Sequence, residues 1–346
     1  MQSMTLGEDA VTSTNLGSSC MRRLSNRVFF VTVSIAAIVS MEGSSLGQPS
    51  YRRDQAPGFY RLRMGDFEIT ALYDGAAVFD AHWLQGGDQA TVQSIIEEAQ
   101  RIPHFLDATV SAFLVNTGKH LILVDAGTGG WYGGPSFGKL VANLGRAGYT
   151  TGQIDLVLLT HLHADHVGGL TTASGNRVFQ KAKVYVAKAD SDFWLSPEVA
   201  AKAPKEAQEF FHTAQAVAAP YQKTGQWHPF EGSIEITAGV TSRPLPGHSP
   251  GHTGYQFTSQ GRELLIWGDV MHAQGVQLTH PEITVVFDLD GQAASTTRRQ
   301  LMPSLNARDI LVAGPHMAFP AIGRLRQVGE SYVWQPVVYT DEWISR

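Results

Sequence analysis

Apolar residues fall in short runs of strand length along most of the chain. Residues 67–72, Phe67-Glu68-Ile69-Thr70-Ala71-Leu72, alternate apolar with polar, the pattern of a strand with one buried face. Asp74-Gly75 follows and reads as a turn. Residues 110–115 and 120–125 are two further runs, and Asn116-Thr117-Gly118 between them suits a hairpin. The run 154–159 is apolar everywhere except Asp155, which predicts a strand covered on both faces. Runs at 184–186, 233–236, 254–258, 263–267, 284–287, 309–313 and 332–339 continue the series. Helical patterns are predicted over 91–101, 139–147, 190–194, 205–217 and 298–305, with Gly148 closing the second. Residues 55–60 form a lead marked by proline and glycine. The strands come in two blocks with helices interspersed, and no repeat of solenoid period is present. This predicts one α/β domain in which helices pack outside two face-to-face sheets.

The first 47 residues stand outside this pattern. Arg22, Arg23 and Arg27 precede the apolar run 28–39, and Ser45 and Gly47 are small enough to permit cleavage before Gln48. This predicts an export signal over 1–47 and a mature domain over 48–346, periplasmic or secreted. Met21 is then an alternative start, and the paired arginines fit a twin-arginine signal poorly. The apolar run is short for a membrane span, so no stable membrane association is expected after processing. The alternative reading of the same residues is a membrane-anchoring N-terminus. The net charge of −5 argues against a nucleic-acid groove, which needs a basic surface. Removing 1–47 leaves that charge unchanged and takes away Cys20, the only cysteine. A metal site in the mature chain must therefore use nitrogen and oxygen ligands.

Such ligands are concentrated just past the buried run 154–159. In Thr160-His161-Leu162-His163-Ala164-Asp165-His166-Val167-Gly168-Gly169, three histidines and an aspartate fall within six residues. In an extended segment residues two apart share a side, so His161 and His163 can converge on one ion, while Asp165 and His166 face a neighbouring position. Imidazole and carboxylate are ligands that zinc takes. A lone histidine beside an apolar strand is usually structural, but four ligand-type residues delivered to one strand end make little sense as packing. The paired glycines suit a tight exit into the next element. The other glycine-rich stretch, Ala126-Gly127-Thr128-Gly129-Gly130, lacks the lysine and spacing of a phosphate loop and reads as a turn.

The segment THLHADHVGG resembles the His-x-His-x-Asp-His signature of the metallo-β-lactamase superfamily. Later landmarks follow in order: His248 in Pro246-Gly247-His248-Ser249-Pro250-Gly251-His252, Asp269 in Trp267-Gly268-Asp269, and His316 in Gly314-Pro315-His316. Within that superfamily the chain is most similar to the methyl parathion hydrolase group and its lactonase relatives. The local matches are Ala56-Pro57-Gly58-Phe59-Tyr60-Arg61, Leu114-Val115-Asn116-Thr117-Gly118, Asp192-Phe193-Trp194-Leu195-Ser196 and His316-Met317-Ala318-Phe319-Pro320. The resemblance implies a four-layer αββα sandwich with the metal site at one edge between the sheets. It implies two divalent ions, with zinc the default and manganese, iron or cobalt the alternatives. His161, His163 and His248 would hold the first ion, Asp165, His166 and His316 the second, and Asp269 would bridge them. A hydroxide shared by the ions would be the nucleophile, oriented by Asp165. Asp125 and His252 would support the ligands from behind. Trp131, Tyr132, Trp194, Phe210, Phe211, Phe287 and Phe319 lie in segments that this group uses around its pocket. His272 stands where acyl-homoserine lactonases carry a substrate-contacting tyrosine and organophosphate-hydrolysing members tend to be apolar. A histidine there can donate to a carbonyl or a leaving oxygen. The resemblance therefore favours a lactone or aryl-ester hydrolase acting on a small apolar or aromatic substrate. An organophosphate triesterase is the second reading and a non-catalytic metal-binding or sensing protein the third; a homodimer is left open.

Overall fold

The computed structural model describes residues 55–340, apart from 103–105 and 132–133. The export segment expected over 1–47 lies outside the described residues. The first half of the chain contributes β1 (Phe59–Met64), β2 (Phe67–Ala77), a short β3 (Leu84–Gln85), α1 (Gln89–Arg101), β4 (Ala108–Asn116), β5 (Leu121–Val124), α2 (Leu140–Arg146), β6 (Leu156–Leu158), α3 (Ala164–Val167), β7 (Lys183–Ala187), α4 (Lys188–Trp194), α5 (Pro197–Lys202), α6 (Gln208–Lys223) and β8 (Trp227–Phe230). The second half contributes β9 (Glu235–Thr237), β10 (Val240–Pro244), β11 (Thr253–Ser259), β12 (Arg262–Ile266), α7 (Gln274–Gln277), β13 (Thr284–Val285), α8 (Gly291–Ala307), β14 (Leu311–Ala313), β15 (Ile322–Val328) and β16 (Ser331–Pro336).

Two seven-stranded sheets result, ordered β1-β2-β4-β5-β6-β7-β8 and β16-β15-β14-β12-β11-β10-β9. Side-chain alternation shows how they stack. Phe113 and Val115 of β4, Ile122 and Val124 of β5, and Leu156 and Leu158 of β6 join the core shared with Tyr255, Phe257, Leu264 and Ile266 of the second sheet. The intervening Leu114, Leu123 and Val157 face the other way, onto Leu140 and Leu144 of α2 and Phe211, Val217 and Tyr221 of α6. Helix α8 packs on the second sheet through Leu301, Met302 and Leu305. The central strands read as near-continuous apolar runs because both faces are covered. The αββα sandwich is the observed architecture.

Several expectations need correction. Asp74-Gly75 is not a turn but lies inside β2, where a bulge shifts the register against β4. Gly75 is needed for space, since a Cβ there would meet the Phe137 ring and Ser136 O. The dipeptide carries a local turn signal that tertiary contacts override. Strands β1, β8, β10 and β15 were not visible as separate runs, and α8 begins seven residues before the expected 298. Gly168 and Gly169 open a 3-10 turn directly after α3, and they also allow the loop at 126–129 to lie against it, because Cβ atoms on them would collide with Thr128 O and Ala126 O.

Candidate metal centre

The loop after β6 delivers His161 and His163 in extended backbone, and α3 then carries Asp165 and His166. His248 follows β10, Asp269 follows β12 and His316 follows β14. All seven meet at one edge of the sandwich. His161, His163, His248 and Asp269 form one tight group; Asp165, His166 and His316 form another. His248 Nε2 lies 3.2 Å from His161 Nε2 and 3.0 Å from His163 Nδ1. Asp269 joins the groups: its Oδ2 is 3.3 Å from His248 Nε2 and 3.1 Å from His316 Nε2, and its Oδ1 is 3.2 Å from His166 Nε2. Asp165 Oδ2 is 3.5 Å from both His166 Nε2 and His316 Nε2.

The ring nitrogens facing away from the centre are fixed from behind, which sets tautomer and ring orientation. His166 Nδ1 donates to Asp125 Oδ2 at 2.9 Å, and Asp125 also accepts from Thr160 N and Thr160 Oγ1. Asp125 adopts φ +60°, a conformation these three hydrogen bonds hold in place. His316 Nδ1 donates to Thr109 O. His252 Nδ1 donates to Leu245 O and its Nε2 accepts from Asp269 N at 2.8 Å, so it supports the aspartate as expected. Other supporting residues escaped the sequence. Asp288 accepts from His248 Nδ1 at 2.8 Å. Asp190 accepts from Leu162 N, Ser249 Oγ and Gly251 N, tying the two ligand loops together. Asp74 accepts from Thr128 N, Thr128 Oγ1 and Leu140 N. Their only signal is an acidic residue beside an apolar run, which is common in any chain.

Burial drives His161 and His163 well below the usual imidazole range, so both present neutral lone pairs. Burial opposes charge on His166 as well, but Asp269, Asp165 and Asp125 outweigh it and raise His166 well above that range. Asp269 is held far below the carboxylate range because the imidazoles of His166, His316 and His161 outweigh its burial. A buried cluster that traps positive charge between carboxylates has the electrostatics of a cation site. His166 Nε2 and Asp269 Oδ1 face each other at 3.2 Å, both fully buried, without forming a hydrogen bond. Buried polar atoms that make no hydrogen bond are costly, and a bound cation would satisfy both. With a donor set of imidazole and carboxylate only, the residues fit divalent metal.

An open cleft lies over the centre. His163, Asp165, His248, Asp269, His272 and His316 form its polar floor. Phe210 and Phe287 line it as expected, and Val78, Phe79, Trp83 and Phe137 complete an apolar wall that the sequence did not reveal. The other expected aromatics among the described residues do not line it. Trp194 is buried behind His163 with ring centres 5.1 Å apart, and Phe211 packs on Trp194 at 4.7 Å. Trp131 Nε1 donates to Thr171 Oγ1, and Phe319 packs edge-on against Tyr73. Tyr132 lies outside the described residues. His272 stacks on His316 at 5.1 Å, with Nε2 3.0 Å from Asp269 Oδ2.

Residues 107–314 match the Metallo-beta-lactamase superfamily. The chain is 30% identical over 166 residues to the uncharacterized protein YobT of Bacillus subtilis, covering 48% of this chain and 64% of that one. It is 24% identical over 231 residues to a "probable metallo-hydrolase" of Mycobacterium tuberculosis, covering 58% and 72%. Among solved structures it is similar to hydrolase AbOPH, with 33% identity, TM-score 0.77 and coverage of 83% of this chain and all of that one. AidC, a dizinc quorum-quenching lactonase, shares the fold at 24% identity and TM-score 0.74, with the same coverage. The motif, the two sheets and the ligand groups at their edge agree with this match: the chain belongs to the metallo-beta-lactamase superfamily and is one of its metal-dependent hydrolases.

Proposed function

We propose that this protein is a dinuclear hydrolase of lactones or aryl esters carrying an apolar substituent. The observation that carries the reading is the convergence of seven imidazole and carboxylate groups, two of whose buried atoms make no hydrogen bond, at the floor of an apolar cleft. His161, His163 and His248 would hold one divalent ion, Asp165, His166 and His316 the other, with Asp269 shared; zinc suits this set best. Bound ions supply an acidified water and polarise the scissile carbonyl. Asp165 is the ligand most open to the cleft, with 21% of its side chain exposed, and it is placed to accept a hydrogen bond from the attacking water. Phe210, Phe287, Phe79 and Trp83 exclude water around the substituent and orient it. His272, kept neutral mainly by burial, lines the same cleft and has Nδ1 without a partner. It is placed to donate a hydrogen bond to the substrate's carbonyl or leaving oxygen once Asp269 is engaged by cations. The same apolar cleft suits a neutral aryl phosphotriester, which is the second reading.

One experiment separates the two. His272→Leu should lower kcat/KM on an aryl lactone by about 10²–10³, the usual cost of removing one donor aimed at developing charge. It should spare or favour methyl parathion, whose ester groups gain apolar room. With metal content equal, a parallel fall on both substrates, or no change on either, would remove His272 from the catalytic set. The complex of AidC with a product, N-hexanoyl-L-homoserine, makes N-hexanoyl-L-homoserine lactone the first acyl lactone to try. We also propose export, on the strength of the basic and apolar pattern before Gln48.

A further inference from the structure

Two polar side chains near the cleft, Gln277 and Arg298, have no exposed surface at all and do not line it. Arg298, on α8, donates from Nε to Val270 O at 2.8 Å and from Nη1 to Pro281 O at 2.7 Å and Ile283 O at 2.8 Å. Gln277 Oε1 accepts from His272 N at 2.8 Å and Ala273 N at 3.0 Å, and its Nε2 donates to the same Ile283 O at 3.0 Å. The two side chains therefore close the loop 270–283 at both ends. One end leaves Asp269 and carries His272. The other enters β13, which pairs with β3 through Thr284↔Gln85 and Val285↔Leu84. Immediately beyond, Val286 N donates to Trp83 O at 2.9 Å, and Trp83 packs edge-on against Phe79 and Phe287, each at 5.2 Å. Asp288 completes the connection by accepting from both Val285 N and His248 Nδ1.

The chemistry of Arg298 is unusual for a core residue. No carboxylate lies within ion-pair distance of it among the described residues, and burial pulls it down to about 10, which still leaves it charged at neutral pH. A buried cation is costly, and its return here is three charge-assisted hydrogen bonds to carbonyls at the two ends of a single loop. A planar fork can do this, whereas a compact ammonium cannot serve all three directions. We infer that Arg298, with Gln277, is the positioning residue that sets the spacing between the His/Asp floor and the Phe79–Trp83–Phe287 wall, and so selects the length of apolar substituent the cleft accepts. This rests on the cleft being the substrate site.

The test uses the metal-loaded protein and two lactones: N-hexanoyl-L-homoserine lactone, which carries an apolar acyl chain, and γ-butyrolactone, which carries no substituent. Arg298→Met should lower kcat/KM for the long substrate by roughly 10–100-fold, the range for losing a group that orients an active site from behind. The fall should lie mainly in KM, leave the short substrate little changed, and be partly restored in Arg298→Lys. Amide hydrogen exchange supplies a readout that needs no substrate. Exchange should accelerate across 270–287 while β11 and β12 keep their protection. Should the parent protein open neither lactone, the functional reading fails, and exchange alone decides the clamp. Unchanged exchange over 270–287 overturns the inference. So does acceleration spread across both sheets, or an equal loss on both lactones. If the Arg298 variants do not fold, Gln277→Glu serves instead. It keeps the acceptor for His272 N and sets a carboxylate against Ile283 O, so exchange at 283–287 must rise for the inference to stand.

Discussion

The oxygens of Asp269 lie within 3.6 Å of five imidazoles, those of His161, His166, His248, His272 and His316. Among the described residues no other side chain touches both ligand groups so broadly, so removing it should disrupt both positions at once. Residues that merely orient a ligand cost about 10–100-fold when lost, so Asp269→Ala should exceed 100-fold in kcat, with metal content reduced. Near-parent turnover with both ions present would mean the shared position is misassigned. His252 behaves differently. Burial first, and the charge of His248 second, lower it to about 3 from 6.5, and its neutral Nε2 is what accepts from Asp269 N. The sign follows from proton counting. Between about pH 3 and 6.5 the unfolded chain binds a proton at this residue that the folded one refuses, so stability rises with pH across that window and is lost on acidification. The metal-free protein should show this in urea midpoints against pH. His252→Gln should flatten the slope by up to about 1.4 kcal/mol per pH unit, one proton's worth; an unchanged slope would place the acid sensitivity elsewhere. Of the residues behind the centre, Asp125 and His252 were legible through the family resemblance. Asp74, Asp190 and Asp288 were not, because an acid that accepts backbone and ring N–H groups from distant loops leaves no local pattern.

Among the elements, α3 and the loop 126–129 depend on each other through glycine. Ala126 N donates to His166 O and Gly169 N to Gly127 O, so the two backbones run in contact. A Cβ at Gly169 would strike Ala126 O, which is backbone and cannot swing aside. Gly169→Ala should therefore cost about 1–3 kcal/mol, the range for overpacking a close contact, and lower Tm by several degrees. Gly145 supplies the opposite case. It sits exposed within α2, with nothing near its missing Cβ, so Gly145→Ala should stabilise by about 0.5–1 kcal/mol. Thermal melts of the two variants check both, and similar effects would show that backbone approach is not what fixes the glycine at 169. The β3–β13 ribbon shows the limit of pattern reading at this scale. Two residues on each side are too few to display a period, yet they bring Trp83 beside Phe287.

At the scale of the whole molecule, the ligands arrive from both halves of the sandwich, so metal binding ties the halves together. Ions that bind only the folded state stabilise by RT ln(1 + [L]/Kd), about 2.7 kcal/mol at a hundredfold excess over Kd. Elemental analysis of protein purified without chelator should approach two ions per chain, and chelation should lower Tm; less than one ion after reconstitution would end the dinuclear proposal. Mass spectrometry of the exported form should find a start near Gln48, and an intact N-terminus on cytoplasmic protein would contradict export. By itself the sequence determined the two-sheet sandwich with outer helices, because period-two alternation and fully apolar runs are local consequences of which faces are covered. It also determined the first ligand cluster, since His161, His163, Asp165 and His166 need only six residues of chain to come together. That His248, Asp269 and His316 close on that cluster, and that Phe287 faces the cleft, followed only from the family resemblance and not from local pattern; only the tertiary structure decided that four expected pocket aromatics do not line the cleft and that Phe79 and Trp83 complete its wall. Those outcomes depend on which loops two stacked sheets bring to one edge, across separations of about a hundred residues and more, and periodicity within a single strand carries no information at that range.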